Sequence, residues 1–257
     1  MARIRAALIT GASSGIGQAL ALALADPSMR LHLAGRDAGR LEVVAKSCRQ
    51  LGATVATRLI DVRDADAMAD WIIGAGPLDL VVANAGIAPG TDGSAPESPG
   101  QSRAVFGTNM EGVLNTVLPA MQVMRTQPVG ADGVRGRIAA IASIAAFIPA
   151  SPAPSYCASK AAVDSWMVAT ARSSRAQGIR LTSVCPGFIR TPMTEGKRRW
   201  MPGLMAPDRA ARIILRGIAA GRVRVAFPWW LMAACRLAAL LPPRVFGTLA
   251  APRSTEA

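Results

Sequence analysis

A single histidine, His32, in 257 residues leaves little room for hydrolytic or metal chemistry. A Ser-His-Asp triad needs its imidazole beside a nucleophile, whereas His32 lies inside an apolar, strand-like run that suits a core or edge position. Cys48, Cys157, Cys185 and Cys235 are widely spaced, with no C-x-x-C and no histidine cluster, so neither a metal site nor a disulfide framework is indicated. Reduced thiols in a cytoplasmic protein are the matching expectation. The chain also lacks an apolar run of the ~20 residues needed to span a bilayer. Met1 to Ile9 carries two arginines and then too short an apolar stretch for a signal peptide, so the first strand is expected to begin directly. Acidic residues are scarce, 16 against 29 basic ones, which gives a formal net charge of +13. With no linker or repeat in sight, this length suits one large core.

Scarcity also marks what is present. Tyr156 is the only tyrosine, and it stands four residues before Lys160, one of three lysines. Residues at i and i+4 share a helix face, so the ammonium is expected to stabilise the phenolate and draw its pKa down from ~10. Tyr156 is then a candidate proton donor near neutral pH, and Ser143 lies thirteen residues upstream. A buried tyrosine beside a surface lysine is the plainer alternative for this pair alone.

A second motif answers it. Strand-like Arg5–Thr10 runs into Gly11-Ala12-Ser13-Ser14-Gly15-Ile16-Gly17 and then an Ala/Leu-rich helical run. Glycines there allow a tight turn and let bare backbone approach a pyrophosphate, while the following helix N-terminus offers free N–H groups and a positive dipole end. The G-x-x-x-G-x-G spacing differs from the G-x-G-x-x-G of longer dinucleotide loops.

Further along, short apolar runs alternate with helical patterns. Strands are predicted at Arg5–Thr10, Leu31–Ala34, Thr54–Ile60, Leu78–Ala83, Arg137–Ala142, Arg180–Cys185 and Val223–Phe227. Helices are predicted at Gly15–Ala25, Arg40–Leu51, Ala65–Ile73, Gln101–Thr126, Ala153–Gln177 and Pro207–Ala220. Strands joined by helices require crossovers, so the expected class is α/β, doubly wound, with a mostly parallel seven-stranded sheet and helices on both faces. Ligands of such sheets sit beyond the carboxyl ends of the strands, which places Gly11, Asn84, Ser143 and Pro186 together. The long loops Ile87–Gly100 and Phe188–Ala206 are expected to border that crevice.

In their order along the chain, these motifs resemble the short-chain dehydrogenase/reductase family, in its single-domain branch. The resemblance covers Thr10 to Thr191 and rests on Thr10–Gly17, Asn84-Ala85-Gly86, Asn109, Ser143, Tyr156/Lys160, and Pro186-Gly187 with Thr191. Ala83 stands where the family often has a second Asn, a mild departure. The resemblance implies a Rossmann fold that binds a nicotinamide dinucleotide and interconverts a carbonyl and a secondary alcohol. It implies that Tyr156 exchanges the proton and Ser143 orients the carbonyl oxygen. Lys160 would hold the nicotinamide ribose, and Asn109 would seat a water that links Lys160 to solvent. Cofactor contacts are implied for Gly11, Ser13, Ser14, Gly15, Ile16, Gly17, Asn84, Ala85, Gly86, Pro186, Gly187 and Thr191. Asp61 and Val62 resemble the adenine contacts, Asp61 accepting from the amino group.

Cofactor choice is read at the second strand. NAD binders place a carboxylate at its tip for the ribose 2′-OH, but here Gly35 and Arg36 follow the strand and Asp37 comes one position later. A guanidinium pairs well with a 2′-phosphate, so NADP(H) is expected over NAD(H), with Asp37 as a helix cap.

Residues 1–227 are read as one catalytic domain that includes a substrate lid over residues 188–206. Phe188, Met193, Trp200, Met201, Leu204 and Met205 in that lid offer apolar surface for a lipophilic or acyl substrate. Residues 228–257 form an apolar and basic tail. From Arg190 onward there are twelve basic and three acidic residues, an excess of +9. A helix from about Trp229 to Leu241 carries Trp229 and Trp230. Two readings stay open: attachment to an anionic membrane surface at its inner face, or packing against the lid or in a homodimer or homotetramer interface. The basic face would also suit an acidic acyl carrier; nucleic acid is not expected, because no recognisable module interleaves the charges with aromatics. The rival to an enzyme is a non-catalytic NADP(H)-binding redox sensor or membrane-docked scaffold, for which the Asn109/Ser143/Tyr156/Lys160 set has no use.

Overall fold

Seven strands form one parallel sheet, as the alternating pattern predicts. The computed structural model describes residues 4–88, 96–150, 153–195 and 201–241. Strands β1 (Ala6–Ile9), β2 (Arg30–Gly35), β3 (Thr54–Leu59), β4 (Leu80–Ala83), β5 (Gly136–Ile141), β6 (Ile179–Pro186) and β7 (Arg224–Phe227) lie in the order β3-β2-β1-β4-β5-β6-β7. Every neighbouring pair runs parallel.

Alternate residues of the central strands serve opposite faces, and both faces are apolar because helices cover both. Leu8, Val81, Ile138 and Leu181 pack with Met68 and Ile72 of α3 (Ala65–Gly74), Val113 and Val117 of α5 (Gly112–Thr126) and Val163 and Met167 of α6 (Pro154–Ala176). Their neighbours Ile9, Val82 and Val184 face the other way, toward Leu20 of α1 (Gly15–Leu24), Leu41 and Val44 of α2 (Ala38–Gln50) and Ile214 of α7 (Pro207–Ala219). His32 pairs with Leu8 on one side and Ala56 on the other, so it is an interior strand residue and the edge alternative lapses. Burial and the nearby Arg30 charge hold its pKa below the usual value.

One predicted helix is three segments. The run Gln101–Thr126 divides into α4 (Pro99–Phe106), a π turn at Gly107–Glu111 and α5. Ser98 caps α4 in a reciprocal box with Gln101. Apolar spacing does not reveal the π turn, because one extra residue in a single turn barely shifts the pattern. Gly112, at its exit, lies hard against Val62, where a Cβ would collide with the valine side chain. The tail helix, α8 (Trp229–Ala238), stops short of Leu241; residues 242–257 of the tail lie outside the described residues.

Candidate active site

Strand order reverses between β1 and β4, and a cleft of about 1160 Å³ opens beyond the carboxyl ends of the strands. Its wall includes Gly11, Ser13, Ser14, Gly15, Ile16, Arg36, Asp61, Val62, Asn84, Ala85, Gly86, Ser143, Tyr156, Lys160, Pro186, Gly187 and Thr191. Gly17 and Asn109 stand one layer behind that wall.

The turn after β1 is shaped by residues that must lack side chains. Gly11 and Gly15 have φ of +62° and +59°, and a Cβ on Gly11 would come within 2.8 Å of the Ala85 Cα. A Cβ on Gly15 would meet the Thr191 methyl at 2.9 Å. Asn84 ties the turn to β4, its side-chain amide donating to the carbonyls of Thr10 and Gly11, both at 3.0 Å. The Thr10 hydroxyl accepts from the Asn84 and Ala85 N–H groups at 3.0 and 3.1 Å. Asn84 therefore shapes the turn with its side chain, and Thr10, named from the sequence only as the first residue of the loop motif, is its partner. No side chain caps α1 at Ser14, so its first-turn N–H groups remain for an anion. Bare backbone, a free helix N-terminus and the width of the cleft fit a dinucleotide.

At the tip of β2, Asp37 caps α2 by accepting from the Arg40 backbone N–H at 2.9 Å and the Arg40 Nε at 2.7 Å. Its carboxylate is thereby engaged as a cap. Arg36 reaches into solvent, 61% exposed, 4.0 Å from Asp61. Asp61 is gripped by Arg63, whose Nη2 lies 2.7 Å away, and this bond holds the carboxyl below its usual range. Arg40 also lines the cleft. Sequence reading missed it as a second cation, although its place three residues after a capping Asp was the signal.

On the other side of the switch point, Ser143 follows β5, and Tyr156 and Lys160 sit on α6. Burial pushes the Tyr156 phenol pKa up, and the nearby Ser143 hydroxyl offsets this only in part. The Lys160 ammonium lies 5.8 Å from the Tyr156 ring centroid and donates to the Ile141 carbonyl at 2.7 Å. Its own pKa is lowered to about 8, chiefly by burial. The expected lowering of the phenol by its neighbour is thus reversed in the protein alone: both groups are desolvated, and desolvation favours the neutral form of each.

Asn109 owes its place to the π turn. Its Oδ1 accepts from the Ile87 N–H at 2.8 Å, and its Nδ2 donates to the Ile87 carbonyl at 2.9 Å and to the Ser159 hydroxyl at 3.2 Å. The amide braces the start of the Ile87 loop against the α6 turn between Tyr156 and Lys160.

A stability prediction follows from Lys160. A lysine whose folded pKa lies at about 8, against 10.5 in the unfolded chain, costs stability below pH 8, and the cost fades as pH rises toward 10.5, where the unfolded chain still holds the extra proton. Lys160→Met should therefore be more stable than wild type at pH 7, with an advantage that shrinks across that window. Urea denaturation of both proteins at pH 7, 8 and 9.5 measures it; a constant difference would mean that Lys160 is not desolvated.

Another part of the cleft wall is apolar. Phe188, Met193 and Met201 line it as expected. Leu204 is exposed instead, Met205 is turned to the core beside Ile189, and Trp200 lies outside the described residues. Ile144, Ile148, Leu231 and Cys235 join the wall; these were missed, because neither a short 3-10 turn (Ile144–Phe147) nor the tail helix carries a recognisable motif. Helix α8 packs on that turn, with the Arg236 guanidinium 4.7 Å from the Phe147 ring and Arg224 at 5.5 Å. Arg224 also clasps Asp164 of α6 at 2.7 Å.

Comparison with known proteins agrees with this geometry. The sequence profile described as short chain dehydrogenase matches residues 5–202. An oxidoreductase of Myxococcus xanthus is 35% identical over 254 residues, covering 96% of both chains. The 11-beta-hydroxysteroid dehydrogenase-like 2 protein of Arabidopsis thaliana is 32% identical, over 87% of this chain and 73% of its own length. A 3-oxoacyl-[acyl-carrier protein] reductase of Brucella melitensis, solved with bound NAD, superposes with a TM-score of 0.73 at 26% identity, covering 87% of this chain and 89% of that one. A glycine turn at the switch point, the Ser143/Tyr156/Lys160 cluster on the wall of the same cleft and these matches lead to one assignment: the chain belongs to the short-chain dehydrogenase/reductase family, as a nicotinamide-dependent oxidoreductase of CH–OH and C=O groups.

Proposed function

We propose that the enzyme uses NADP(H) to interconvert a lipophilic ketone and its secondary alcohol. The single observation that carries the cofactor preference is the tip of β2, where Asp37 is committed to its helix cap and the exposed guanidinium of Arg36, only loosely paired with Asp61 at 4.0 Å, lines the cleft beside it. When bound, the nicotinamide supplies or receives the hydride at the carbonyl carbon. The chain supplies the rest. Gly11, Ser13, Ser14, Gly15, Ile16 and Gly17 form the pyrophosphate cradle, Asn84, Ala85 and Gly86 its far wall, and Asp61 and Val62 the adenine side. Lys160 holds the nicotinamide ribose, and Pro186, Gly187 and Thr191 flank the nicotinamide. Ser143 donates to the carbonyl oxygen, Tyr156 delivers the proton to it, and Asn109, whose Nδ2 and one Oδ1 lone pair are engaged by Ile87 and Ser159, has its second Oδ1 lone pair for the relay water. The apolar wall of Phe188, Ile144, Ile148 and Leu231 favours a lipophilic or acyl chain, in keeping with relatives named for a hydroxysteroid and for an acyl-carrier substrate. Delivery by an acidic acyl carrier, homo-oligomer assembly and a cytoplasmic setting belong to the same reading, the first supported by the net charge of +13.

Arg36→Ala tests the preference. A charge-assisted contact to the 2′-phosphate is worth about 2–3 kcal/mol, so NADPH affinity should fall ~30- to 150-fold while NADH is little changed. Calorimetry with both cofactors decides it, and equal losses would remove Arg36 as the discriminator. A panel of ketones followed by NADPH absorbance then separates an enzyme from a sensor, which would bind and turn nothing over.

A further inference from the structure

Helix α8 has two apolar faces and a cleft on only one of them. Its inner face gives Leu231 and Cys235 to the cleft wall, and no residue of the helix is fully buried. At 100° per residue, Trp229, Ala233, Arg236 and Leu237 fall on the opposite side, and Leu240 follows just past the helix end. Trp229, Leu237 and Leu240 are 73%, 66% and 81% exposed. Trp230 extends this face sideways to the 201–206 segment, where its ring lies 3.1 Å from the position of a Cβ on Gly203. Large apolar side chains gathered in this way on an outer surface mark a contact surface. Arg236, the only charge on the helix, shares this side and is exposed, with its guanidinium 4.7 Å from the Phe147 ring.

The charge of this part of the sequence favours one partner. Between Asp208 and Glu256 the sequence has eight arginines and no acidic residue. A second copy of the chain placed against this face would bring the same cationic segment opposite itself, with no carboxylate to pair across the contact. An anionic bilayer meets both features, taking the indoles and leucines at the headgroup boundary and attracting the arginines by ~1 kcal/mol each. Among the described residues no helix is long and apolar enough to cross a membrane, so the helix would lie in the plane.

We propose that the outward face of α8 docks the enzyme on anionic phospholipid, with the cleft, lined by the inner face of the same helix, opening at the lipid boundary so that a lipophilic carbonyl enters from the bilayer. The entry route rests on the reading of the substrate given above; the docking does not. The test uses the full chain, co-sedimented with vesicles of phosphatidylglycerol and phosphatidylcholine or of phosphatidylcholine alone, at low and high salt. Binding should require the anionic lipid and weaken at high salt. Leu237→Glu combined with Leu240→Glu should lower it at least tenfold while the melting temperature, NADPH binding and light-scattering mass stay at wild-type values, since both side chains point away from cleft and core. Failure of the wild type to bind, or undiminished binding by the double variant, overturns docking; a changed mass in the variant makes the face a subunit interface instead. Absence of ketone turnover alongside intact vesicle binding would count against the enzymatic reading and leave docking in place.

Discussion

Tyr156→Phe should keep the fold and bind cofactor nearly as wild type, while turnover falls by about 10²–10⁴, the usual worth of a positioned proton donor. The substitution removes one hydroxyl and leaves the ring that packs near Lys160, so a loss equivalent to ~3–5 kcal/mol is a loss from the transition state alone. Because crowding in the cleft holds the phenol pKa above its ordinary value, Tyr156 is protonated at neutral pH and ready to act as an acid. Ketone reduction should therefore be flat through neutrality, whereas alcohol oxidation, which needs the phenolate, should quicken as pH rises. Single-turnover rates in both directions, for wild type and variant, test this. Full activity in Tyr156→Phe would remove the residue from the chemistry, and a pH-independent oxidation would mean that another group takes the proton.

Much of this site was legible because its parts are backbone and spacing. Seven strands and their helices follow from alternating apolar runs, and the glycine turn is legible because only glycine fits φ of +62° and +59° at positions 11 and 15. The Tyr156–Lys160 pair follows from i, i+4 geometry. What stayed hidden depends on tertiary contact. The π turn that sets Asn109 is one residue of slack in a helical pattern. The direction of the Tyr156 and Lys160 shifts is decided by how many atoms surround each group, which sequence does not count. The lid residues divide between cleft and core by the bridge between Ile189 and Met205, so that Met205, apolar like its neighbours, faces inward. The inner face of α8 reads in sequence like its outer face, and only the folded position of Leu231 and Cys235 on the cleft wall tells which of them meets the cleft.

Gly17→Ala should be among the most damaging single methyls at the described glycines. Gly17 belongs to the first turn of α1, yet a Cβ there would stand 2.5 Å from the Asn84 Nδ2 and collide with the Gly11 carbonyl oxygen. Neither neighbour can retreat cheaply. The Asn84 amide is fixed by its bonds to the Thr10 and Gly11 carbonyls, and Gly11 is held by its left-handed turn and by Ala85. Either α1 moves outward or the turn opens, and both deform the surface that receives the pyrophosphate. Overpacking of this kind costs about 1–3 kcal/mol of stability, and the displaced cradle should weaken cofactor on the order of 10²-fold. Gly74→Ala is the matched control: it ends α3, meets nothing within 4 Å, and should be neutral or stabilising by up to ~1 kcal/mol. Melting curves with and without NADPH separate the two effects, since a purely structural defect lowers both midpoints equally, whereas a broken cradle also removes the upward shift that cofactor gives the wild type. If Gly17→Ala kept that shift in full, the close approach of α1 to the turn would not be what shapes the site.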